Sequence, residues 1–459
     1  MSMKHCLLGF VLLNCLGICA CTQRSSPAPE QSAMNSIRPE AIRAHMRFLS
    51  DSLLQGRGTG TPGYQIAARY VATQLEAAGL RPAGVDGTWY QMVPLRKSVT
   101  DDGKSSMVLM TKGGEQTLVS LKDYVLYGDL NRVDTSVEAP VVFVGFGVTA
   151  TERDYDDYAG ADVKGKIIAV LDGAPAKFPS TVRAYYSDYN VKAKNAVAHG
   201  AVGWIGVELP EDQKRNAWDW NMPQVQMGIM EWLEKNGSPH NAFPEFRSGV
   251  VLNQSGTEKL FAGASKTLDQ LFEAARASQP QSLALPVTAR VHTISSHTSA
   301  DSPNIIGEVL GSDPALRNQY VVYTAHVDHL GICPPKNGDN VCHGALDNAS
   351  GVASQLEIAR AFASLPRAPR RSILFVFVTG EEMGLLGSDY FATFPTVPRS
   401  AIAANINIDG APGLYYPMKD LIVLGIEHSS LEQQVQSAAM RIGYSLSPDP
   451  MPEENFFIP

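Results

Sequence analysis

Four places in this chain carry side chains that could hold a divalent cation. The apolar run Tyr320-Val-Val-Tyr-Thr-Ala ends at His326-Val-Asp328. Arg371-Ser-Ile-Leu-Phe-Val-Phe-Val leads into Thr-Gly-Glu381-Glu382, and Ala401-Ile-Ala-Ala-Asn-Ile-Asn-Ile stops at Asp409. Between the first two, Gly344-Ala-Leu-Asp347-Asn-Ala-Ser-Gly opens what reads as a helix. Mixed imidazole and carboxylate donors suit zinc, with manganese and cobalt as rivals. A carboxylate can bridge two cations ~3.5–4 Å apart, as two-metal hydrolases require. Asp347, on a loop before a helix rather than at a strand end, is the natural bridge. Asp328, two residues after His326, is placed to orient the imidazole. Glu381 and Glu382 are adjacent, so their side chains diverge, and one can ligate while the other faces bound water as general base. Each feature alone is an ordinary polar strand end. Three successive strand ends and one helix entry together point to a metal site.

The elements that must position these groups follow from the pattern around them. After Ser302-Pro-Asn-Ile-Ile-Gly-Glu-Val-Leu-Gly, strand-like and helix-like segments alternate, which predicts an α/β domain with a mostly parallel sheet flanked by helices. Ligands bind at the carboxyl ends of strands in such sheets. Helices are expected over 348–365, 385–391 and 431–441, with a last strand over 421–424. Upstream, 38–50 reads as a short amphipathic helix. The Gly-rich run Leu54-Gln-Gly-Arg-Gly-Thr-Gly-Thr-Pro-Gly has no G-K-[ST] ending and no strand before it, so it is not a phosphate loop. It reads as a turn with Thr61 as N-cap and Pro62 at the first position of a helix that runs to residue 78. From about Lys97, short strand-like pieces separated by turn residues suggest a β-rich insert over 99–287, with one helix over 191–199. Residues 211–245 read as loop, their Trp218, Trp220 and methionines as a satellite core. The site-bearing domain is then 36–98 plus 288–459.

The chain has 459 residues and a formal net charge of −8, with 44% hydrophobic and 18% charged residues. It is long enough for two or three domains. With no long Lys/Arg run, nucleic acid is excluded as a partner. Lys4 and the apolar run 7–18 read as a secretory signal over 1–20, too short to span a membrane. Ala20-Cys21 resembles a bacterial lipobox, with Cys21 as the lipidated residue. The expected location is therefore exported, periplasmic or outer-membrane-associated, with membrane contact only through the lipid. Residues 21–35 read as a flexible stalk. Four of the six cysteines lie in or at the end of the signal. The other two, Cys333 and Cys342, are expected to pair as a disulfide in that oxidising compartment.

The blocks Thr-Ala-His326-Val-Asp328-His-Leu-Gly, Gly344-Ala-Leu-Asp347-Asn-Ala-Ser-Gly, Thr-Gly-Glu381-Glu382-Met-Gly-Leu-Leu-Gly-Ser and Asn-Ile-Asp409 resemble, in order and spacing, the signatures of the M28 zinc peptidases. The Leu54 to Gly63 run is similar to the start of the peptidase domain in bacterial members. The middle module, with Tyr155-Asp-Asp-Tyr and Val163-Lys-Gly-Lys-Ile, resembles their protease-associated insert. The resemblance implies a zinc-peptidase α/β fold, two Zn2+ ions and a peptide substrate. It implies that His326 and Asp409 hold one zinc, that Asp347 bridges, that Glu382 holds the other, and that Glu381 is the base. The implied activity is that of a zinc-dependent exopeptidase, an aminopeptidase in the simplest case. The alternatives are a carboxypeptidase, a dipeptidase, a glutaminyl-cyclase-like enzyme or a non-catalytic relative.

One departure stands out. The family's fifth ligand is a histidine late in the domain, beyond a segment similar to Pro450-Met-Pro-Glu-Glu-Asn-Phe-Phe-Ile. The expectation is a shortened C-terminal end and a weak second zinc. His428 reads as a surface or structural histidine. His329 and His343 match no ligand position and read as rim residues.

Overall fold

The computed structural model describes residues 28–215, 218, 225–410, 418–426 and 429–450. The signal segment, Cys21, Trp220, His428 and the segment from Met451 onward lie outside the described residues.

One strand ties the molecule together. Leu283–Val309 is 27 residues long. Its first half pairs antiparallel with Ser106–Thr111 and Asp134–Phe143. Its second half pairs with Tyr90–Thr100, and its end with Ser372–Val378. The boundary expected at 287–288 therefore falls inside a continuous strand.

On the site-bearing side the sheet order is Ile402–Asn407, Tyr320–His326, Ser372–Val378 and then the long strand. The first three run parallel, and the long strand is antiparallel to its neighbours. The parallel character thus belongs to the three strands that end in candidate donors. Every residue of Ser372–Val378 is buried, which explains its unbroken apolar run: both faces are covered. Helices Pro62–Ala77 and Gly351–Ala363 cover one face, packing Val71, Leu75, Val352 and Leu356 against Phe375 and Phe377. Ile306, Val322, Leu374 and Val376 face the other side with Phe391. The helix Pro62–Ala77 starts as its sequence requires, with the Tyr64 N–H donating to Thr61 Oγ1 at 3.3 Å and Pro62 in the first turn.

The middle module is an α/β unit rather than a β-rich one. Asp134–Phe143, Ile167–Leu171, Gly203–Val207 and Gly249–Leu252 lie side by side in parallel. Ile167–Leu171 is buried throughout. Ala193 and Ala196 of helix Tyr189–Ala198 cover one face, and Leu271 and Phe272 of Leu268–Arg276 the other. Buried strands of this length look alike in sequence whether parallel or antiparallel, so periodicity alone could not separate the two. The stretch read as loop contains helix Pro210–Arg215 and strand Ile229–Trp232, the latter paired with Tyr90–Thr100.

The segment read as a flexible stalk is helical over Pro29–Asn35, with Pro29 and Glu30 in its first turn, where both residue types favour helix starts. It is followed by helix Pro39–Leu49, anchored through Glu357. The Glu357 side chain is 2% exposed. It accepts from the Arg38 backbone N–H at 2.9 Å and from Arg360 Nε and Nη2 at 2.9 and 2.8 Å. Burial alone would raise its pKa, but the Arg360 and Arg38 donors outweigh it and hold the carboxyl at about 2, below its ordinary 4.5. A carboxyl depressed on folding stabilises fully above its unfolded pKa, and that stability is lost as pH falls through 4.5 toward 2. Glu357→Gln is expected to cost about 2–3 kcal/mol at pH 7 in urea unfolding. The gap from wild type should shrink by more than half near pH 3, and a pH-independent gap would contradict this ion pair.

Cys333 and Cys342 are joined by a disulfide across the hairpin Gly331–Lys336/Asp339–Cys342, with a Cα–Cα distance of 5.8 Å. The hairpin rests on the Gly-rich turn. A Cβ at Gly56, whose φ is +68°, would lie 2.3 Å from the Gly331 carbonyl oxygen and 2.5 Å from that of Cys342.

Candidate metal centre

Strand register brings the candidate donors level. In the parallel pair Tyr320–His326/Ser372–Val378, His326 stands opposite Val378, so Thr379-Gly-Glu381-Glu382 emerges beside it. On the other side Thr324 stands opposite Asn407, and the Ile408 N–H donates to the Thr324 carbonyl at 2.9 Å. Asp409 follows at the same sheet edge.

His326 is the hub. Its Nε2 lies 3.0 Å from Asp347 Oδ1, 3.2 Å from Asp409 Oδ1 and 3.8 Å from Glu381 Oε2. Donors sharing a cation at ~2.0–2.2 Å sit about 3–3.5 Å from one another, so His326, Asp347 and Asp409 fit one ion. The ligand atoms of His326, Glu381 and Glu382 form a second group, and those of His329, Asp347 and Glu382 a third, each within 4.8 Å. Asp347 belongs to two of the groups, which is the place a bridging carboxylate needs. The site opens outward: Asp347 and Asp409 are about half exposed, whereas His326 is buried.

Asp328 is fully buried and acts differently from the simplest expectation. The His326 Nδ1–H donates to the Asp328 backbone carbonyl at 3.2 Å, and the Asp328 carboxylate is farther, at 3.8 Å. That carboxylate instead accepts from the Glu381 N–H at 3.2 Å, the Glu382 N–H at 3.3 Å and Thr59 Oγ1 at 2.9 Å. One aspartate thus orients the imidazole through its backbone and the Glu381–Glu382 turn through its side chain.

Two further residues carry the geometry, and neither was evident in the sequence. Asn348, next to Asp347, donates from Nδ2 to the Ile408 carbonyl at 2.9 Å, and its Oδ1 accepts from the Gly410 N–H at 3.1 Å. It therefore fixes the residues on both sides of Asp409. The peptide bond between Asp347 and Asn348 is cis. Arg57, 1% exposed, donates to the carbonyls of Val327 at 2.9 Å, His343 at 2.8 Å and Gly344 at 3.0 Å, and also to that of Leu49. A single guanidinium so joins the His326 loop to the Asp347 loop. These partners lie some 270 and 286 positions away in the chain, so no local pattern announces them.

The electrostatics call for a cation. Burial would lower the pKa of His326, but Asp347, Asp409, Asp328 and Glu381 reverse this and raise it to about 11. The imidazole itself serves as counter-ion to the carboxylates, a role that a metal takes over when it displaces the proton. Burial raises Glu381 to about 7, with His326 opposing and Asp328, Glu382 and Asp409 reinforcing. Burial also raises Asp328. Asp347 is lowered, first by its hydrogen bond from His326.

His329 is not a rim residue. Its backbone N–H donates to the Arg57 carbonyl at 3.3 Å, and its ring turns onto the site, with Nδ1 2.5 Å from Glu382 Oε1. His343 stays outside, bonded through Nδ1 to the Ser50 carbonyl and through Nε2 to Asp339, each at 2.9 Å.

Residues 304–459 match the family described as Peptidase family M28. Aminopeptidase YwaD of Bacillus subtilis is 30% identical over 153 residues, which is 32% of this chain and 30% of that protein. Aminopeptidase NAALADL1 of Mus musculus is 28% identical over 264 residues, 48% of this chain and 33% of that protein. A probable zinc metalloprotease of Pyrenophora tritici-repentis is 37% identical over 106 residues, 23% of each chain. The chain spans about a third or less of the length of these curated relatives. An aminopeptidase from Aneurinibacillus sp. strain AM-1 has a solved structure that superposes with a TM-score of 0.53 at 20% identity, over 94% of this chain and 84% of that one. That likeness is one of fold. Every candidate donor lies within residues 304–459, the part of the chain that matches Peptidase family M28.

Proposed function

We propose that this chain is a zinc-dependent exopeptidase that removes residues from the N-terminal end of peptides. The observation that carries the reading is His326 Nε2 between Asp347 and Asp409, with Glu381 Oε2 3.8 Å away at the open edge of the sheet. Zinc held there would lower the pKa of a bound water toward neutrality and polarise the scissile carbonyl. His326 and Asp409 would supply donors to one ion, Glu382 to a second, and Asp347 to both. Glu381 takes the proton of the attacking water and returns it to the leaving amine. The backbone N–H bonds to Asp328 hold Glu381 in place for this.

The charge pattern beside the donors favours the aminopeptidase form. The nearby Arg57 is buried and committed to backbone carbonyls, so it does not offer a counter-charge to an α-carboxylate. The test is hydrolysis of aminoacyl-nitroanilides against their N-acetylated counterparts. Cleavage of the free-amine series alone is expected, and preferred cleavage of blocked or C-terminal substrates would overturn it.

We also propose export with a lipid at Cys21, and a protease-associated role for the module 99–287. The disulfide suits an oxidising compartment. Among the described residues no helix is long and apolar enough to cross a membrane.

A further inference from the structure

We propose that the buried carboxamides of Asn304 and Gln91 are positioning groups for Glu381, setting the turnover rate without touching metal or substrate. The inference rests on the metallopeptidase reading, with Glu381 as base, and adds what holds that base. The two residues stand opposite each other where Tyr90–Thr100 pairs with Leu283–Val309. Gln91 is 2% exposed and Asn304 0%. A buried carboxamide left unpaired is costly, so its partners show what it serves. Asn304 Oδ1 accepts from the Thr379 N–H at 3.0 Å, and its Nδ2 donates to the Gly387 carbonyl at 2.8 Å. Nδ2 also donates to Gln91 Oε1 at 3.0 Å, and Gln91 Nε2 donates to the Phe394 carbonyl at 2.6 Å. Each of these bonds goes either to the backbone of residues 379–394 or from one amide to the other.

That backbone is one closed unit around Glu381. The Gly384 and Leu385 N–H groups both donate to the Glu381 carbonyl at 2.9 Å. The Leu386 N–H donates to the Gly380 carbonyl at 3.0 Å and the Gly387 N–H to the Thr379 carbonyl at 2.8 Å. The turn therefore closes onto the start of helix Leu386–Thr393, and Asn304 grips it at both ends. The fit is close at Gly387, where a Cβ would lie 2.3 Å from the Thr379 carbonyl oxygen and 2.5 Å from Asn304 Oδ1. Gln91 extends the grip to Phe394, just past the end of the helix. Asp328 supplies a separate tie, accepting from the Glu381 N–H at 3.2 Å. The place of the base thus depends on two buried anchors, one on the imidazole loop and one on the paired strands. Misplacing a reacting group by ~1 Å can cost about 10²-fold in rate.

The competing roles are fold stability alone, or a hold on Glu382 and through it on metal. A double-mutant cycle separates them. Gln91→Met and Asn304→Leu are made in the full chain, each alone and together with Glu381→Gln. On an aminoacyl-nitroanilide, kcat and KM are read per folded chain, with zinc content measured beside them. Alone, Gln91→Met is expected to lower kcat ~10-fold and Asn304→Leu ~100-fold, with KM and zinc content unchanged. Combined with Glu381→Gln, neither should lower the residual rate further, because the group they position is gone. Glu357→Gln, which weakens the fold away from the site, should keep the wild-type kcat. A kcat for Gln91→Met within about twofold of wild type would overturn the positioning role. So would a loss that persists in full over Glu381→Gln, or one that follows zinc content; each leaves the peptidase reading standing. No hydrolysis by zinc-loaded wild type would overturn both. If Asn304→Leu does not fold, Gln91→Met decides alone.

Discussion

Replacing Glu381 with Gln is expected to lower kcat by ~10²–10⁴-fold on an aminoacyl-nitroanilide, with zinc content and fold unchanged. Glu381 stands 3.8 Å from His326 Nε2 and is held by its backbone rather than its side chain, so the amide keeps the local structure. Only the proton acceptor is lost. Burial raises this carboxyl to about 7, against the pull of His326 and with the push of Asp328, Glu382 and Asp409. A zinc ion beside it would draw the value down again. The base must be ionised to act, so kcat/KM should fall as pH drops through its pKa, with that acid limb lying below 7 and missing from the variant. Turnover within tenfold of wild type would remove Glu381 from the mechanism.

Arg57→Met is expected to be the most damaging single change to stability, costing about 3–5 kcal/mol in denaturant unfolding. Burial lowers the guanidinium to about 10 while Asp328, Asp347 and Glu382 push it back up, so it remains charged at neutral pH. Its four carbonyl partners, on Leu49, Val327, His343 and Gly344, would lose their donor. Each unpaired buried carbonyl costs roughly 1–3 kcal/mol, partly offset by removing a buried charge. Zinc affinity should fall with it, because the loops carrying His326 and Asp347 lose their common tie. A loss under 1 kcal/mol would show that these loops hold themselves.

The strand ends were legible in the sequence because a buried strand must be apolar and a donor at its end must be polar. Tyr320–His326 and Ser372–Val378 each show that switch within two or three residues. The N-cap Thr61 and Pro62 were legible for the same local reason. What escaped is non-local. Arg57 reads as one residue of a glycine turn until the fold brings Val327 and Gly344 to it. His329 reads as a loop residue until Glu382 arrives from the neighbouring strand. The long strand Leu283–Val309 crosses the boundary expected at 287–288 and runs into the largely polar stretch 295–302. It continues because Tyr90–Thr100 pairs with that stretch residue by residue.

The most direct test of the metal-centre account is the same nitroanilide assay on chelator-stripped full chain, with single metal ions added back. Hydrolysis should vanish on stripping and return with zinc at up to two equivalents per chain, and His326→Ala should not recover. Activity that survives complete removal of metal, or that His326→Ala retains, would contradict the central claim that these strand-end donors form a working zinc site.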